Sequence, residues 1–283
     1  MASKRARSPP PSIVDSSLVE AFTNHGWVCI PDLLSRSELC VLQTECAALY
    51  ARESVESITA KGCVLDVLAQ CPMQDFDTAR TDAKSYLKIR AKQLKSNSDP
   101  HGVFASLLFE KLPTIARQLM ATEDVFFFNE HYVVKPPKSH VEFRWHRDDD
   151  EQLAMCVHRE SIRPYVSAWC ALDDVTRVNG ALQFVSLDAL SKSEEEDVEN
   201  LKCHATESVA VKQGDVLFFL SNVWHCSSSN GLEAARRAFY AQYSREKISA
   251  RPNDSSPLSF AVPCKMIGTA ENSAGEVTKK VKR

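Results

Sequence analysis

The sequence predicts a mainly β fold with N-terminal helices, in which a double-stranded β-helix (jelly roll) core is buttressed on one outer face by the helices. Three observations predict it. Through the first 120 residues apolar side chains recur every three or four positions, the period of helices packed on one face. From Val125 the pattern changes to short runs rich in β-branched and aromatic residues, separated by turns, as in sandwiches and barrels. Within that second half, His146-Arg147-Asp148 and the distant His225 form a set of metal-ligating side chains drawn from separate elements.

Helical patterns cover Ser16 to His25, Ser35 to about Ser54, Ala83 to Leu94 and Val103 to Leu119. In the second, Leu39, Leu42, Cys46 and Leu49 line one face, and Ser35 with Glu38 three residues on reads as a capping box. Strand patterns cover Phe126 to Val134, Tyr165 to Leu172, Ala181 to Val185, Ser208 to Val211, Val216 to Leu220 and Arg237 to Tyr243. Residues 1–14 form a basic, proline-rich tail and 265–283 a basic tail, both expected to be disordered. Between them a single domain is expected over 15–264, helical over 15–120 with its jelly-roll core over 121–250. The acidic stretch 191–200 reads as a solvated loop.

Composition sets bounds on partners and location. A chain of 283 residues with 44% hydrophobic residues can bury a sizeable core. A net charge of −3 gives no general attraction to nucleic acid or anionic membrane, so nucleic acid is not an expected partner. No apolar run approaches the ~20 residues of a membrane span. Lys4-Arg5-Ala6-Arg7 opens onto prolines, without the apolar centre of a secretory signal, and the last residues are not a Ser-Lys-Leu peroxisomal address. A cytoplasmic protein is expected, or a nuclear one if Lys279-Lys280-Val281-Lys282-Arg283 serves import. Ten scattered cysteines without a Cys-x-x-Cys pair read as reduced thiols, Cys29, Cys40, Cys156 and Cys170 packing as small hydrophobes. Cys226, beside His225, is open to oxidation.

Two imidazoles and one carboxylate can hold one face of an octahedral iron(II), leaving three positions open. On a strand, residues two apart share a face, so His146 and Asp148 can reach one metal while Asp149 points the opposite way and Asp150 lies too far along. Gly214-Asp215-Val216-Leu217-Phe218-Phe219-Leu220 reads as a turn into a buried strand, with His225 just beyond. Eleven residues later stands Arg236. Its planar fork suits a carboxylate, and only one of Arg236 and Arg237 can face the interior. Pairing of either with Glu233 is the plain alternative.

The ordered series Trp145-His146-Arg147-Asp148, Ser167-Ala168-Trp169-Cys170-Ala171-Leu172-Asp173-Asp174, Asn179-Gly180-Ala181-Leu182, Gly214 to Phe219, His225-Cys226-Ser227, Asn230 and Arg236-Arg237 resembles the phytanoyl-CoA dioxygenase family of iron(II)/2-oxoglutarate oxygenases. Val19-Glu20-Ala21-Phe22 and Gly26 to Leu34 resemble the family's N-terminal entry, so the likeness covers most of residues 15 to 250. It implies that His146, Asp148 and His225 ligate iron, that Arg236 binds the far carboxylate of 2-oxoglutarate and that Ser227 assists. Trp169 is implied to line the co-substrate pocket, with His131 and Lys88 near it. On a strand His131, Val133 and Lys135 share a face, which suggests that one of the two polar residues reaches the site while the other lies at its rim.

The implied cofactors are Fe(II), with 2-oxoglutarate and O2 as co-substrates and ascorbate as reductant. The implied reaction hydroxylates a small organic or lipid-like molecule with release of succinate and CO2. The retained Asp148 favours hydroxylation over halogenation. Alternatives are a catalytically silent jelly-roll binding protein, or an oxygenase acting on protein or nucleic acid. The chain departs from the family pattern in lacking Gln after His146 and in replacing a Pro-Gly-Ser-His turn by Phe184-Val185-Ser186-Leu187-Asp188. Arg144 and Arg147 could attract a phosphate or a CoA tail, yet Asp149, Asp150 and Glu151 stand close enough to neutralise them. Oligomeric state is left open.

Overall fold

Alternation of apolar side chains along short strands produces two antiparallel sheets, each with one face turned to a shared interior. The structure, a computed structural model, describes residues 14–68, 82–94, 102–152, 163–189, 197–248 and 261–264. Residues 1–13 and 265–283, Cys156 and most of the acidic run lie outside these residues, whereas Val14, read as the end of the tail, is buried in the core with its N–H donating to Gln118 Oε1 at 3.2 Å. In chain order the strands are β1 (Trp27–Ile30), β2 (Val64–Asp66), β3 (Phe126–Lys135), β4 (Phe143–His146), β5 (Val166–Ala171), β6 (Leu182–Phe184), β7 (Val216–Leu220), β8 (His225–Ser227), β9 (Arg236–Ser244) and β10 (Val262–Pro263). The larger sheet runs β1-β7-β5-β9-β3-β10, with β2 also paired to β3, and the smaller runs β4-β8-β6. This is the jelly-roll arrangement the sequence predicts.

Register fixes what faces the interior. Asp66 pairs with His131, His131 with Tyr240, Tyr240 with Trp169, Trp169 with Leu217 and Leu217 with Cys29, a single row across six strands. Residues paired across a ladder project to the same face, so these side chains share a surface. Their neighbours Leu65, Tyr132, Phe239, Ala168 and Phe218 project the other way, into the apolar layer beneath the helices.

Capping chemistry places the helices. In α1 (Ser16–His25), Asp15 accepts from Leu18 N at 2.9 Å, and Gly26 ends the helix at φ 77°. A Cβ on Gly26 would sit 2.4 Å from Val223 Cγ2 and 2.8 Å from Leu187 Cγ, so the turn at Leu187 closes over this glycine. In α2 (Arg36–Tyr50) the expected capping box is present, Ser35 N donating to Glu38 at 2.7 Å and Glu38 N to Ser35 at 3.3 Å. This helix stops short of Ser54, which instead caps α3 (Val55–Ala60). The helix α4 (Ala83–Leu94) follows. The single helix expected over 103–119 is three pieces: α5 (Val103–Ser106), a π-helical turn at Leu107–Lys111 and α6 (Leu112–Met120). Pro113 explains the break, since it has no N–H for Phe109 O and its ring crowds that carbonyl.

Other departures also have local causes. Ser208 to Val211 forms only isolated bridges, Val209 to Leu182 and Val211 to Val175. The expected loop over 191–200 is instead helical from Val198, where Asp197 caps α8 (Val198–His204). A buried ionic brace joins helices to sheet. Arg90 on α4 donates to Glu45 on α2 at 2.8 Å and to Glu130 on β3 at 2.7 Å, while Tyr86 and Tyr132 hydroxyls complete the two carboxylates. Glu130 is thereby pinned on the helical face, which leaves its neighbour His131 facing the interior.

Candidate active site

The three sequence-predicted metal ligands converge where the sheets meet. His146 ends β4 opposite His225 on β8, and the two rings lie 4.2 Å apart between centroids. Asp148 does not extend the strand, which corrects the expectation of two ligands on one strand face. The chain turns at Arg147, and Asp148 is the first residue of the short helix α7 (Asp148–Gln152). That turn is held by Asp149 N donating to Ser221 O at 3.1 Å and by Arg147 paired with Asp150 at 2.8 Å. With Arg147 also over the Trp224 ring at 4.8 Å, it is engaged locally rather than offered to a phosphate.

Hydrogen bonds set the ligand atoms. The carbonyls of Arg144 and Val223 lie 2.7 and 2.9 Å from the Nδ1 atoms of His146 and His225. A carbonyl only accepts, so each Nδ1 carries the proton and each Nε2 keeps its lone pair. Those Nε2 atoms are 3.9 and 3.6 Å from Asp148 Oδ1. Burial, with His146 beside it, depresses the His225 pKa to about 4, which keeps it neutral and able to donate electrons. Asp148 Oδ2 accepts from Tyr240 Oη at 2.5 Å, Ser167 Oγ at 2.9 Å and Gln242 Nε2 at 3.2 Å. Two neutral nitrogens and one free carboxylate oxygen within 4.8 Å of one another fit iron(II).

At the other end of the cavity stand two buried cations. Arg236 opens β9 and faces inward, its Nη2 donating to Gly180 O at 2.8 Å and its guanidinium 5.4 Å from the Trp169 ring centre. Its buried Nη1 has no partner among the described residues. Arg237 faces outward and pairs with Asp173 at 2.5 Å, while Glu233 pairs with Lys138 at 3.1 Å, so neither arginine takes Glu233 among the ion pairs described. Lys135 Nζ lies 2.9 Å from Ser227 Oγ, 3.2 Å from Ser227 O and also against Ser228 O. Burial and then Arg236 pull its pKa down to about 7, and burial lowers Arg236 to about 10. Two desolvated cations without a salt bridge among the described residues are a site for an anion. Gly180, at φ 90°, makes the closeness possible, since a Cβ there would meet Ser228 O at 2.6 Å.

Trp169 and Ser227 line the same cavity of about 280 Å³, as does His131, stacked 4.7 Å from Tyr240 and held neutral by burial with a pKa of about 4. His131 and Lys135 project from the same face of β3; His131 lines the cavity, while Lys135 lies at its edge against Ser227, the division the sequence suggested. Lys88 is a correction. It is exposed on α4, whose buried face carries Tyr86, Ile89 and Arg90, and it does not line the cavity. Sequence reasoning missed Tyr240 and Gln242, which the period of two from Arg236 along β9 would have placed inside, and Ser167, two before Trp169 on β5.

A family model described as phytanoyl-CoA dioxygenase (PhyH) matches residues 22–238. The chain belongs to the phytanoyl-CoA dioxygenase family. Among solved structures this family member is similar to the non-heme alpha ketoglutarate dependent carbocyclase SnoK from nogalamycin biosynthesis, with TM-score 0.60 and 17% identity, covering 91% of this chain and 96% of that one. It is also similar to the epimerase SnoN in complex with Fe3+, alpha ketoglutarate and nogalamycin RO, with TM-score 0.57 and 17% identity, covering 88% and 94%. EctD from S. alaskensis with 2-oxoglutarate and 5-hydroxyectoine aligns with TM-score 0.57 and 19% identity, over 93% and 91%. At these identities the likeness shows the fold. No curated protein sequence matches. As a family member carrying the complete ligand set, the chain is a non-haem iron(II)/2-oxoglutarate-dependent dioxygenase with iron(II) and 2-oxoglutarate as its cofactors.

Proposed function

We propose that this dioxygenase hydroxylates a small organic molecule, using the cavity between the sheets for co-substrate and substrate together. The observation that carries the reading is the unpartnered Arg236 Nη1 beside Lys135, with the open Nε2 atoms of His146 and His225 in the same cavity. In this reading His146, Asp148 and His225 hold the iron. Arg236 donates two parallel hydrogen bonds to the far carboxylate of 2-oxoglutarate, Lys135 adds the second charge, and Ser227 donates its hydroxyl. Trp169 and Leu182 wall this end with apolar surface, and Phe219 packs on the His225 ring at the metal end. When bound, iron(II) with 2-oxoglutarate and oxygen supplies an oxidant able to take hydrogen from an unactivated carbon. The protein's part is to orient and shield.

A cavity of about 280 Å³ is of a size to take a small organic molecule. A cytoplasmic location belongs to the same reading, supported by eight described cysteines that are all free thiols. No described helix is long and apolar enough to cross a membrane. The test is succinate release from purified, iron-loaded protein given 2-oxoglutarate. Slow release that requires His146 supports the reading, and equal release from His146→Ala overturns it.

A further inference from the structure

The polarity of one cavity amide is dictated from the metal site outward. The Asp148 carboxylate only accepts, so Gln242 must turn its NH2 group toward it, and Gln242 Nε2 lies 3.2 Å from Asp148 Oδ2. The same Nε2 donates to Ser167 Oγ at 3.1 Å, whose own hydrogen goes to Asp148. Gln242 Oε1 therefore points away from the carboxylate, and it accepts from Asn129 Nδ2 at 2.8 Å. With its NH2 group turned there, Asn129 is left with Oδ1 as an acceptor, and no described residue donates to it.

That acceptor belongs to the cavity. Asn129 is half-buried, pairs in register with Gln242 and lines the same space as the metal ligands. Six residues of β3 separate it from Lys135, the register partner of Arg236, about 20 Å at the usual strand rise. The carboxylate site at Arg236 and the metal ligands take up the stretch between, which leaves the Asn129 end for substrate.

His131 is the next residue along this face. Its ring is stacked on Tyr240, lines the cavity and makes no hydrogen bond among the described residues. Being neutral, it offers one N–H and one lone pair. No buried charged side chain lines this end beyond the metal ligands among the described residues, and Asp66 at the rim is exposed to solvent. A charged substrate group would lose its hydration here without a buried counter-charge. A hydroxyl group suits the pair, since it donates to Asn129 Oδ1 and accepts from an imidazole N–H at once.

We infer that Asn129 is a specificity-determining residue of this dioxygenase, its Oδ1 accepting a hydrogen bond from a substrate hydroxyl, and that the substrate class is a small uncharged alcohol. The inference rests on the oxygenase reading above and narrows it. A ligand without the donor hydrogen leaves Oδ1 covered and unpaired, the loss by which a polar site rejects a close analogue.

The test compares straight-chain 1,2-diols of butane, pentane and hexane with their methyl ethers, which accept hydrogen bonds but do not donate them, and with carboxylates of the same lengths. Two readouts are taken: ligand-observed NMR binding to the zinc(II)-loaded protein with 2-oxoglutarate, and stimulation of succinate release by the iron-loaded enzyme. The expected result is a preference of roughly tenfold or more for diol over ether and over carboxylate in both. Asn129→Ala brings the diol-to-ether ratio below about threefold, and Asn129→Gln, which keeps the amide, holds it above that of Asn129→Ala. Because each ratio is taken within one protein, a variant of lowered stability still reports. A role confined to bracing Gln242 gives a different result, weaker iron(II) binding in Asn129→Ala with the diol preference unchanged, and that result overturns the inference. Succinate release by a wild type that binds no diol, or shows no diol preference, also overturns it and leaves the oxygenase reading standing. Absence of succinate under every condition overturns the oxygenase reading and this inference with it.

Discussion

Tyr240 donates its hydroxyl hydrogen to Oδ2 of Asp148 at 2.5 Å, while Oδ1 of the same carboxylate faces the Nε2 atoms of His225 and His146 at 3.6 and 3.9 Å. One oxygen is thus tied into the protein and the other is left for metal. Ser167 and Gln242 share in tying it, so the ligand's orientation is fixed from three strand-borne donors before any ion arrives.

Removing that tether loosens the ligand without deleting it. Tyr240→Phe is expected to weaken iron(II) affinity by roughly 10-fold or more, the usual size of an outer hydrogen bond to a ligand. Anaerobic iron titration of the variant checks this. Affinity equal to the wild type contradicts it.

Arg236→Ala removes a charge-assisted pair from the proposed carboxylate site. Two such bonds at roughly 1.5–3 kcal/mol each predict at least a 100-fold rise in the 2-oxoglutarate KM. Steady-state kinetics with varied 2-oxoglutarate measures it, and a KM within threefold of wild type would show that the co-substrate lies elsewhere.

Lys135 gives a pH signature with opposite signs for folding and binding. Its folded pKa of about 7 lies below that of an unfolded lysine, so between about pH 7 and 10 the unfolded chain binds more protons. The apoprotein therefore gains stability from this group as pH rises through that window. Binding of 2-oxoglutarate needs the charged amine, and weakens over the same range while Arg236, at about 10, stays charged until the top of the window. The melting-temperature increase produced by 2-oxoglutarate should shrink from pH 6.5 to 8.5, and Lys135→Met should flatten that trend.

The brace behind the site is predicted to be structural. Arg90→Met leaves Glu45 and Glu130 buried without their cation, and breaking a buried pair in this way costs about 3–5 kcal/mol. Urea unfolding measures it. A loss under 1 kcal/mol would mean that the two carboxylates rearrange to water.

How much of this was legible in the sequence depends on whether a signal was local. Ser35 with Glu38, the end of α1 at Gly26 and the strand Val216–Leu220 are specified by neighbours in sequence, and the structure places each as read. His146, Asp148, His225 and Arg236 were legible because their ordered motifs are rare together, although the turn that moves Asp148 off the strand was not. The strands β1, β2 and β10 have four, three and two residues, too few to show alternation, and they exist through pairing with β7 and β3. Lys88 was misplaced because a motif match fixes a position along the chain and not the face of a helix, and α4 turns that face to solvent.

In the proposed reaction His146, Asp148 and His225 hold iron(II) beside a chelating 2-oxoglutarate. Anaerobic addition of iron(II) and then 2-oxoglutarate to the apoprotein, with His225→Ala alongside, tests it most directly. The expected result is the weak visible charge-transfer band of a chelated keto acid in the wild type and its loss in the variant. A folded, iron-loaded wild type without the band, or a band that survives in His225→Ala, would contradict it.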